Sequence, residues 1–313
     1  MKPPSRRSKP GFIVKELGRD LVRNRIAYLM LLPALAYYFL FRYMPLYGAQ
    51  IAFRNYDFML GIVNSEWVGF QNFQTFFNSY YFWRLLRNTV LLSGYCILFG
   101  FPAPILLALF MNELRSSTYK RITQTITYLP HFISIVVVCG WLRTYLARDG
   151  FINDIVVFLG GERKAFLQYP EYFRMVYVVS DIWQSIGWGS IIYLAALGGI
   201  NSELYDACNI DGGGRLRQTL HVTLPGITPT IVIMLILRMG RLMSVGQEKV
   251  LLLYNTNTYE TADIISTFVY RKGLMDMNYS YSTAIGLFNS VINFALLIFV
   301  NQLSKKLTDT SLW

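Results

Sequence analysis

Long apolar runs alternate with short polar stretches along most of this 313-residue chain. An α-helix needs about 20 predominantly apolar residues to cross a bilayer. Each run of that length predicts one membrane-spanning helix: Ile26 to about Tyr47, Asn88 to Met111, Ile122 to Tyr145, Met175 to Ile200, Gly226 to Tyr254, and Thr283 to Leu303. The pattern predicts an all-α, polytopic membrane protein whose six transmembrane helices occupy residues 26–303.

Prolines lie inside two of these runs. Pro102 and Pro104 belong to the second run, and Pro130 belongs to the third. A proline removes a backbone donor and clashes with the preceding turn, so it bends a helix, and neighbouring helices can bond the carbonyls that it frees. We therefore expect kinks at these positions.

The two ends of the chain depart from the apolar pattern. Within the first tail, residues 1–25, apolar side chains recur at helical spacing from position 12 to position 21 among charged ones. This predicts an amphipathic helix on the inner membrane surface, with an unstructured basic tail as the alternative. Residues 304–313 form a second, short polar tail.

Composition supports a membrane protein and excludes several other classes. The chain is 54% hydrophobic and 15% charged, with a mean hydropathy of +0.36. Its cysteines, Cys96, Cys139 and Cys208, are odd in number and have no CxxC spacing, so no disulfide framework is expected. The histidines, His131 and His221, lie far apart, which argues against a histidine-based metal site.

No motif for catalysis or nucleotide binding is present in the sequence. Gly212 to Gly214 lack the Lys and Ser/Thr that follow the glycines of a phosphate-binding loop, and HExxH and GxSxG do not occur. We therefore expect a chain that is not an enzyme, has no catalytic or metal-binding residues, and binds no cofactor itself.

Basic residues are unevenly distributed between the two sides that six spans would create. Those predicted to share one side are Lys2, Arg6, Arg7, Lys9, Lys15, Arg19, Arg23, Arg25, Arg115, Lys120, Arg121, Arg215, Arg217, Lys305 and Lys306. Cytoplasmic segments are enriched in Lys and Arg, so both termini and residues 202–225 are predicted to be cytoplasmic. This asymmetry also explains the net charge of +11 without a nucleic-acid partner.

The polar island from Ser202 to Pro229 separates the fourth and fifth runs. Its first part suits a short helix that Ser202 can cap, and the glycines at 212–214 favour a break. A second short helix is expected from Arg215 to about Val222, with Pro225 at the start of the next segment. The island is thus predicted to be a helix-turn-helix that presents side chains to a partner.

The island resembles the EAA loop of ABC importer permeases, which inserts into a cleft of the ATPase subunit. The resemblance rests on Tyr205-Asp206-Ala207-Cys208, Ile210-Asp211-Gly212-Gly213 and Leu224-Pro225, although Asp206 replaces the usual Glu and Cys208 the usual Ala. It implies that residues 202–225, the coupling loop, contact the ATPase through Glu203, Tyr205, Asp206, Ala207, Asp211, Gly212, Leu224 and Pro225. An ordinary interfacial turn is the alternative.

Other segments are similar to the carbohydrate branch of these permeases, which moves oligosaccharides or polysaccharide fragments. They are Trp67 to Phe73, Trp183 to Leu197, Ser244 to Glu248, Leu252 to Asn255, Tyr270 to Leu274 and Tyr279 to Ala284. The resemblance implies a second permease subunit in a heterodimer, two ATPase subunits that bind ATP and Mg²⁺, an external solute-binding protein, surrounding membrane lipid and an oligosaccharide substrate.

Polar and aromatic side chains within or directly after the fourth and fifth runs are candidates for the substrate path. They are Trp183, Gln184, Trp188, Arg238, Arg241, Gln247, Glu248 and Asn255. Amides and carboxylates can bond sugar hydroxyls, and aromatic rings can stack on the C–H faces of sugar rings. Arg238 and Arg241 further favour an acidic, uronate-containing oligosaccharide. The alternative is internal pairing, for example of Asp181 with Lys249, that serves helix packing alone.

A different class of protein also has to be considered. Asp181, Glu248 and Lys249 could form the proton relay of an ion- or proton-coupled secondary transporter. No internal repeat of the kind found in such transporters is evident. An ATPase-coupling loop would also have no role in them.

Overall fold

The computed structural model describes residues 23–308 and residue 311. Within this part of the chain, almost all regular structure is helical, which confirms the predicted all-α class. The amphipathic helix expected between positions 12 and 21 lies outside the described residues, as does part of the tail 304–313.

The first half of the chain contains two long helical segments, a pair of two-residue strands and several shorter helices. Its elements are α1 (Arg25–Tyr38), continued by a π-helical turn (Phe39–Tyr43) and a 3₁₀ segment (Met44–Phe53), β1 (Arg54–Asn55), α2 (Gly61–Asn64), β2 (Glu66–Trp67), α3 (Gln71–Phe77), α4 (Phe82–Leu98), α5 (Pro102–Glu113), α6 (Ser117–Tyr128), a 3₁₀ turn (Leu129–Phe132), α7 (Ile135–Tyr145) and α8 (Phe151–Phe158). Strands β1 and β2 pair antiparallel.

The second half is built around two long helices and one long broken segment. Its elements are a 3₁₀ turn (Phe166–Gln168), α9 (Pro170–Leu197), α10 (Ser202–Ile210), α11 (Arg215–Gln218), a π-helical turn (Thr219–Thr223), α12 (Leu224–Met239), α13 (Gln247–Leu253), a 3₁₀ turn (Thr256–Thr258), α14 (Tyr259–Ala262), α15 (Ile265–Tyr270), a π-helical turn (Arg271–Met275) and α16 (Tyr279–Thr308).

Several helical segments are long and apolar enough to cross a membrane. In the described chain these are Arg25–Phe53, Phe82–Glu113, Arg215–Met239 and Tyr279–Lys306, and the bent pair that contains α6 and α7 provides a fifth. Helix α9 has 28 residues, so it is about 42 Å long. The count of six spans stays a prediction.

Prolines coincide with the helix breaks that they predict. Pro130 lies in the 3₁₀ turn after α6, and the two halves of this span are bent by 95°. Pro102 stands at the start of α5, where its missing N–H removes no helical hydrogen bond. The turn residues 99–101 separate α4 from α5, although the N–H groups of Phe99 and Phe101 still donate to the carbonyl groups four residues earlier, at 3.0 and 3.2 Å.

The fifth apolar run does not form one helix from Gly226 to Tyr254, as its hydropathy predicts. The helix ends at Met239, and α13 begins only at Gln247. Side chains from other helices bond the free backbone of the break: Asn293 Oδ1 accepts from the Met243 N–H at 2.8 Å, and Ser93 Oγ donates to the Leu242 carbonyl. A non-helical backbone at membrane depth is stable when protein groups bond it in this way.

Helix α9 lies at the centre of the described fold. One buried cluster includes Phe173, Tyr177 and Val178 of α9, together with Leu92 and Val250. A second joins the α9 side chains Tyr193 and Leu197 to Ile105 and Ile227.

Not every helix is packed in this way. In α1, every described side chain is at least partly exposed.

Candidate functional site

A cavity of about 470 Å³ with charged side chains in its wall lies beside the break between α12 and α13. It is lined by Ser93, Cys96, Tyr177, Asp181, Met234, Leu237, Arg238, Arg241, Ser244, Val245 and Gly246. Asp181 is eleven residues from the start of α9, or about 17 Å along that helix. The cavity therefore lies near the middle of α9.

Asp181 lies between two cations at the wall of this cavity. Its carboxylate is 3.7 Å from Lys249 Nζ and 4.0 Å from Arg238 Nη2. Lys249 is buried and also donates to the Tyr177 carbonyl oxygen at 3.2 Å. The internal pair Asp181–Lys249, considered from the sequence as an alternative, is thus present in the structure.

Arg241 has different surroundings from Arg238. It lines the same cavity, and its side chain is exposed. Among residues 23–308, no carboxylate lies within 4.0 Å of its guanidinium group. Arg238, Arg241 and the Asp181 partner Lys249 thus outnumber the one carboxylate at the cavity wall, so this part of the described chain has a surplus of positive charge.

The polar residues predicted in the fourth span lie elsewhere on α9. Gln184 Nε2 donates to the Ile133 carbonyl oxygen at 3.0 Å, at the bend between α6 and α7. Trp188 stacks on His131 with ring centroids 4.6 Å apart, and Trp183 is 43% exposed. None of the three lines the cavity.

The remaining predicted path residues flank α13. Gln247 and Glu248 are exposed at its first turn, directly after the cavity residue Gly246. Asn255 lies beyond its last turn, where Oδ1 accepts from the N–H groups of Asn257 and Thr258. The cavity thus joins Arg238 and Arg241 with Asp181 and leaves the other predicted residues outside.

Sequence reasoning missed the hydroxyl groups of the cavity. Ser93, Tyr177 and Ser244 line it beside the charged residues. Asn293 Nδ2 donates to Ser244 Oγ at 2.8 Å, so this asparagine of α16 holds both the break and a cavity residue. The feature of the sequence that could have identified these residues is that they are polar side chains within otherwise apolar runs.

The coupling loop begins with helix α10. Asn201, rather than the predicted Ser202, caps this helix, since its Oδ1 accepts from the Glu203 N–H at 3.1 Å. Asn accepts this hydrogen bond as well as Ser does, and it precedes the first helical residue. After α10, Gly212 adopts a left-handed φ of +73°, and the Gly213 N–H donates to the Cys208 carbonyl at 2.8 Å.

The second helix of the coupling loop does not stop near Val222, as the sequence suggested. It continues from Arg215 to Met239, with a π-helical turn at Thr219–Thr223 just before Pro225. A widened turn is favoured here because Pro225 has no N–H to donate. The Tyr205 hydroxyl lies 3.1 Å from Thr223 Oγ1 and ties α10 to this helix.

Most of the predicted ATPase-coupling side chains are accessible. Tyr205 and Leu224 are half-buried, and the exposed members are Glu203, Asp206, Ala207, Asp211, Gly212 and Pro225. Two apolar side chains beside them are also exposed, Ile210 at 87% and Leu216 at 74%. The loop therefore offers a mixed acidic and apolar surface, which suits docking into a protein cleft.

A second ion cluster lies away from the cavity. Asp263 is fully buried and bonds Arg271 Nη2 at 2.7 Å and Thr267 Oγ1 at 2.9 Å, with Arg84 Nη2 at 3.5 Å. Burial, the largest single effect, would lower the pKa of Arg271, but the hydrogen bond that it donates to Asp263 and the charges of Asp263, Tyr259 and Tyr254 together outweigh it, and the pKa is raised. This cluster fixes the segment between α14 and α15 to α4.

The described residues contain no group of three or more His, Cys, Asp or Glu side chains placed to hold a metal ion. The chemistry that the site offers is therefore charge, hydrogen bonding and aromatic contact.

Comparison with known proteins gives a consistent picture. Residues 100–309 match the family described as "Binding-protein-dependent transport system inner membrane component". The chain is 44% identical over 294 residues to "Protein LplB" of Bacillus subtilis (strain 168), covering 94% of this chain and 92% of the relative. It is 43% identical over 300 residues to "Polygalacturonan/rhamnogalacturonan transport system permease protein YteP" of the same organism, covering 96% and 94%.

Solved structures resemble the fold over nearly the whole chain. One is a bacterial ABC transporter involved in the import of the acidic polysaccharide alginate, with a TM-score of 0.87, 44% identity, and coverage of 94% of this chain and 99% of the other. Another is a bacterial alginate ABC transporter in complex with an alginate pentasaccharide-bound periplasmic protein. It has a TM-score of 0.87, 43% identity, and coverage of 94% of this chain and 99% of the other.

Proposed function

Because the chain belongs to the family of binding-protein-dependent transport system inner membrane components, we propose that it is the permease subunit of an importer of acidic oligosaccharides. The chain is not an enzyme, since members of this family are membrane subunits of ABC importers and a separate subunit hydrolyses ATP. The side chains that line the cavity beside α12 indicate which class of substrate the transport path accepts.

The observation that carries the proposal is the guanidinium of Arg241 in that cavity. Asp181 is already paired with Lys249 and Arg238, whereas Arg241 faces the cavity without a carboxylate among the described residues. A uronate carboxylate can accept charge-assisted, bidentate hydrogen bonds from such a group. The names of the relatives agree, because polygalacturonan and alginate are both chains of uronic acids.

The partners follow from the family and from the geometry of the coupling loop. A related second permease completes the path as a heterodimer, and an external solute-binding protein delivers the sugar. Each permease contacts one ATPase subunit, which binds ATP and Mg²⁺, and this permease does so through residues 202–225. Helix α10 is tied to the helix Arg215–Met239, so closure of the ATPase pair moves both and shifts the path between its two open states.

Orientation is part of the same proposal. The coupling loop must be cytoplasmic to meet the ATPase, and the basic tails 1–25 and 304–313 are then cytoplasmic by the same charge rule. The membrane domain comprises residues 26–303. Helix α9 then runs from an external end at Pro170 to the cytoplasmic coupling loop.

The secondary-transporter alternative is not supported. Family membership assigns the energy source to ATP on another subunit. In addition, Asp181 and Lys249 pair with each other, whereas Glu248 is exposed outside the cavity, so the three residues do not form a continuous relay.

The proposal is tested by ATP-driven uptake into vesicles that hold the complete importer, with its binding protein loaded with a galacturonate oligosaccharide. We expect Arg241→Gln to lower uptake about tenfold, because a hydrogen bond to a charged group contributes about 1.5–3 kcal/mol. Arg241→Lys keeps the charge but loses the planar fork, so its uptake should be intermediate.

Basal ATP hydrolysis by each variant serves as the control for folding and assembly. Uptake by Arg241→Gln equal to that of the wild type would remove Arg241 from substrate recognition. A wild-type importer that takes up no uronate oligosaccharide would overturn the substrate class.

A further inference from the structure

A second cavity, of about 440 Å³, lies at the end of α9 opposite the coupling loop. It is bordered by the end of α7, by residues 165–168 and by residues 253–255. Asn255 Nδ2 donates to the Leu167 carbonyl oxygen at 2.7 Å, and Asn257 Nδ2 donates to Gln168 Oε1 at 2.9 Å. These bonds hold the wall of the cavity together just before α9 begins at Pro170.

Two arginines, Arg143 and Arg148, line this cavity. Both are exposed, and within residues 23–308 no carboxylate lies within 4.0 Å of either guanidinium. The nearby Arg163, which is not part of the lining, differs in this respect because it pairs with Asp154 at 2.6 Å. The cavity thus holds two cations without anionic partners beside the polar groups of Gln168 and Tyr254.

Helix α13 connects this cavity to the first one. Gly246, directly before the helix, lines the cavity of Arg241, and Leu253 at its end lines the cavity of Arg143. The helix has seven residues, so the two sites are separated by about 10 Å along its axis. An oligosaccharide with a carboxylate on each unit is long enough to reach from one set of cations to the other.

We propose that the cavity of Arg143 and Arg148 is an external subsite that binds a uronate unit of the oligosaccharide before that unit reaches Arg241. This inference rests on the proposed function for the orientation of the chain and for the acidic substrate. Two exposed guanidinium groups facing one cavity suit a carboxylate, because each presents a planar fork of donors. Gln168 and Tyr254 add partners for sugar hydroxyls.

A purely structural role makes a different prediction. Arg143 lies in the last turn of α7, where a cation stabilises the helix end through its dipole. Such a role would make Arg143→Gln less stable without affecting sugar binding. Direct binding measurements therefore separate the two roles.

The test measures binding of galacturonate trisaccharide to the purified complete transporter, without binding protein, by titration calorimetry. The variants are Arg143→Gln, Arg148→Gln and the double substitution. The matched control is Lys164→Gln, which removes one positive charge from the same connection but does not line the cavity. A neutral galactose trisaccharide is titrated in parallel.

We expect each arginine variant to bind the acidic trisaccharide about tenfold more weakly, since loss of a charge-assisted bond of at least 1.4 kcal/mol corresponds to that factor. Binding by Lys164→Gln and all binding of the neutral trisaccharide should stay at the wild-type value. ATP hydrolysis by the variants confirms that they are assembled.

The outcomes distinguish this inference from the proposed function. If the wild-type importer takes up uronate oligosaccharides but the double variant binds the trisaccharide as Lys164→Gln does, the external subsite is overturned and the proposed function stands. The same conclusion follows if the wild-type transporter takes up the sugar but shows no binding. If the wild type takes up no uronate sugar, both are overturned.

Discussion

Two aspartates illustrate how surroundings decide the role of a charged side chain in this protein. Asp263 is fully buried, and Arg84 and Arg271 close around it. Asp181 also faces two cations, but its side chain is 30% exposed and lies at the wall of a cavity. The first arrangement is a permanent structural tie, whereas the second leaves the carboxylate accessible to water and to a passing solute.

The buried cluster leads to a prediction about stability. Asp263→Ala should destabilise the protein by about 3–5 kcal/mol, because it removes the buried carboxylate and leaves two partly buried guanidinium groups without their counter-ion. Asp276→Ala is the matched control, since Asp276 pairs with Lys272 at 2.6 Å where both side chains are partly exposed, and its loss should cost less than about 1 kcal/mol.

Thermal unfolding of both variants in the same detergent makes this comparison. Equal shifts of the midpoint would show that the Asp263 cluster contributes no more than a surface pair.

Among the joints between helices, the one between α10 and α11 is tightly constrained. A Cβ added at Gly213 would lie 2.7 Å from the Cys208 carbonyl oxygen and 2.5 Å from its Sγ, whereas at Gly214 nothing lies within 4 Å. The backbone atom cannot move aside without changing the end of α10. The direction in which α10 leaves the membrane domain therefore depends on Gly213, together with the left-handed Gly212.

We accordingly expect Gly213→Ala to displace α10 and to reduce ATP-driven uptake, with about 1–3 kcal/mol of strain at the joint. Gly214→Ala should retain wild-type uptake, because its added methyl group meets open space. Besides uptake, the amount of ATPase that co-purifies with each variant is measured. Normal uptake and normal ATPase binding by Gly213→Ala would show that the joint tolerates the added methyl group.

The helices show which features the sequence determines locally. The apolar runs predicted the helical segments well, because the length of a bilayer crossing is a property of one continuous stretch. The break after Met239 could not be predicted in this way, since Leu242, Met243 and Val245 continue the apolar run. Its backbone partners, Ser93 and Asn293, lie 149 and 50 residues away in the chain.

The candidate site was predictable to the same extent. Arg238, Arg241 and Asp181 were identifiable as charges within apolar runs, and the structure brings them to one cavity. Gln184 and Trp188 had the same type of signal, but the bend between α6 and α7 occupies their side of α9. Which face of a long helix meets a cavity depends on the packing of all its neighbours.

The whole molecule has two chemically different ends. At one end, α10 presents an exposed surface with acidic and apolar groups, and at the other, Arg143 and Arg148 line an open cavity. Helix α9 joins the two ends.

Helix α1 shows no buried side chain within the described chain, so lipid or another subunit must cover its apolar surface.

This arrangement gives a prediction about orientation in the membrane. The test uses a variant without the native cysteines as its background. In this background, Lys164→Cys should react with a membrane-impermeant maleimide when the inner membrane is intact and any layers outside it are permeable. Lys305→Cys should react only after the inner membrane is opened, because both termini are expected to be cytoplasmic. Labelling of Lys305→Cys in intact cells would reverse the proposed orientation.

The continuous helix from Arg215 to Met239 connects the coupling loop with the wall of the first cavity. Successive residues of an α-helix are rotated by about 100° and rise by about 1.5 Å. A turn of this helix by one residue would carry Arg238 away from Asp181 and place the methyl groups of Leu237 there. The rotational register of one helix thus decides whether Asp181 meets a second cation in addition to Lys249 or a hydrocarbon, and with it the charge that a sugar meets.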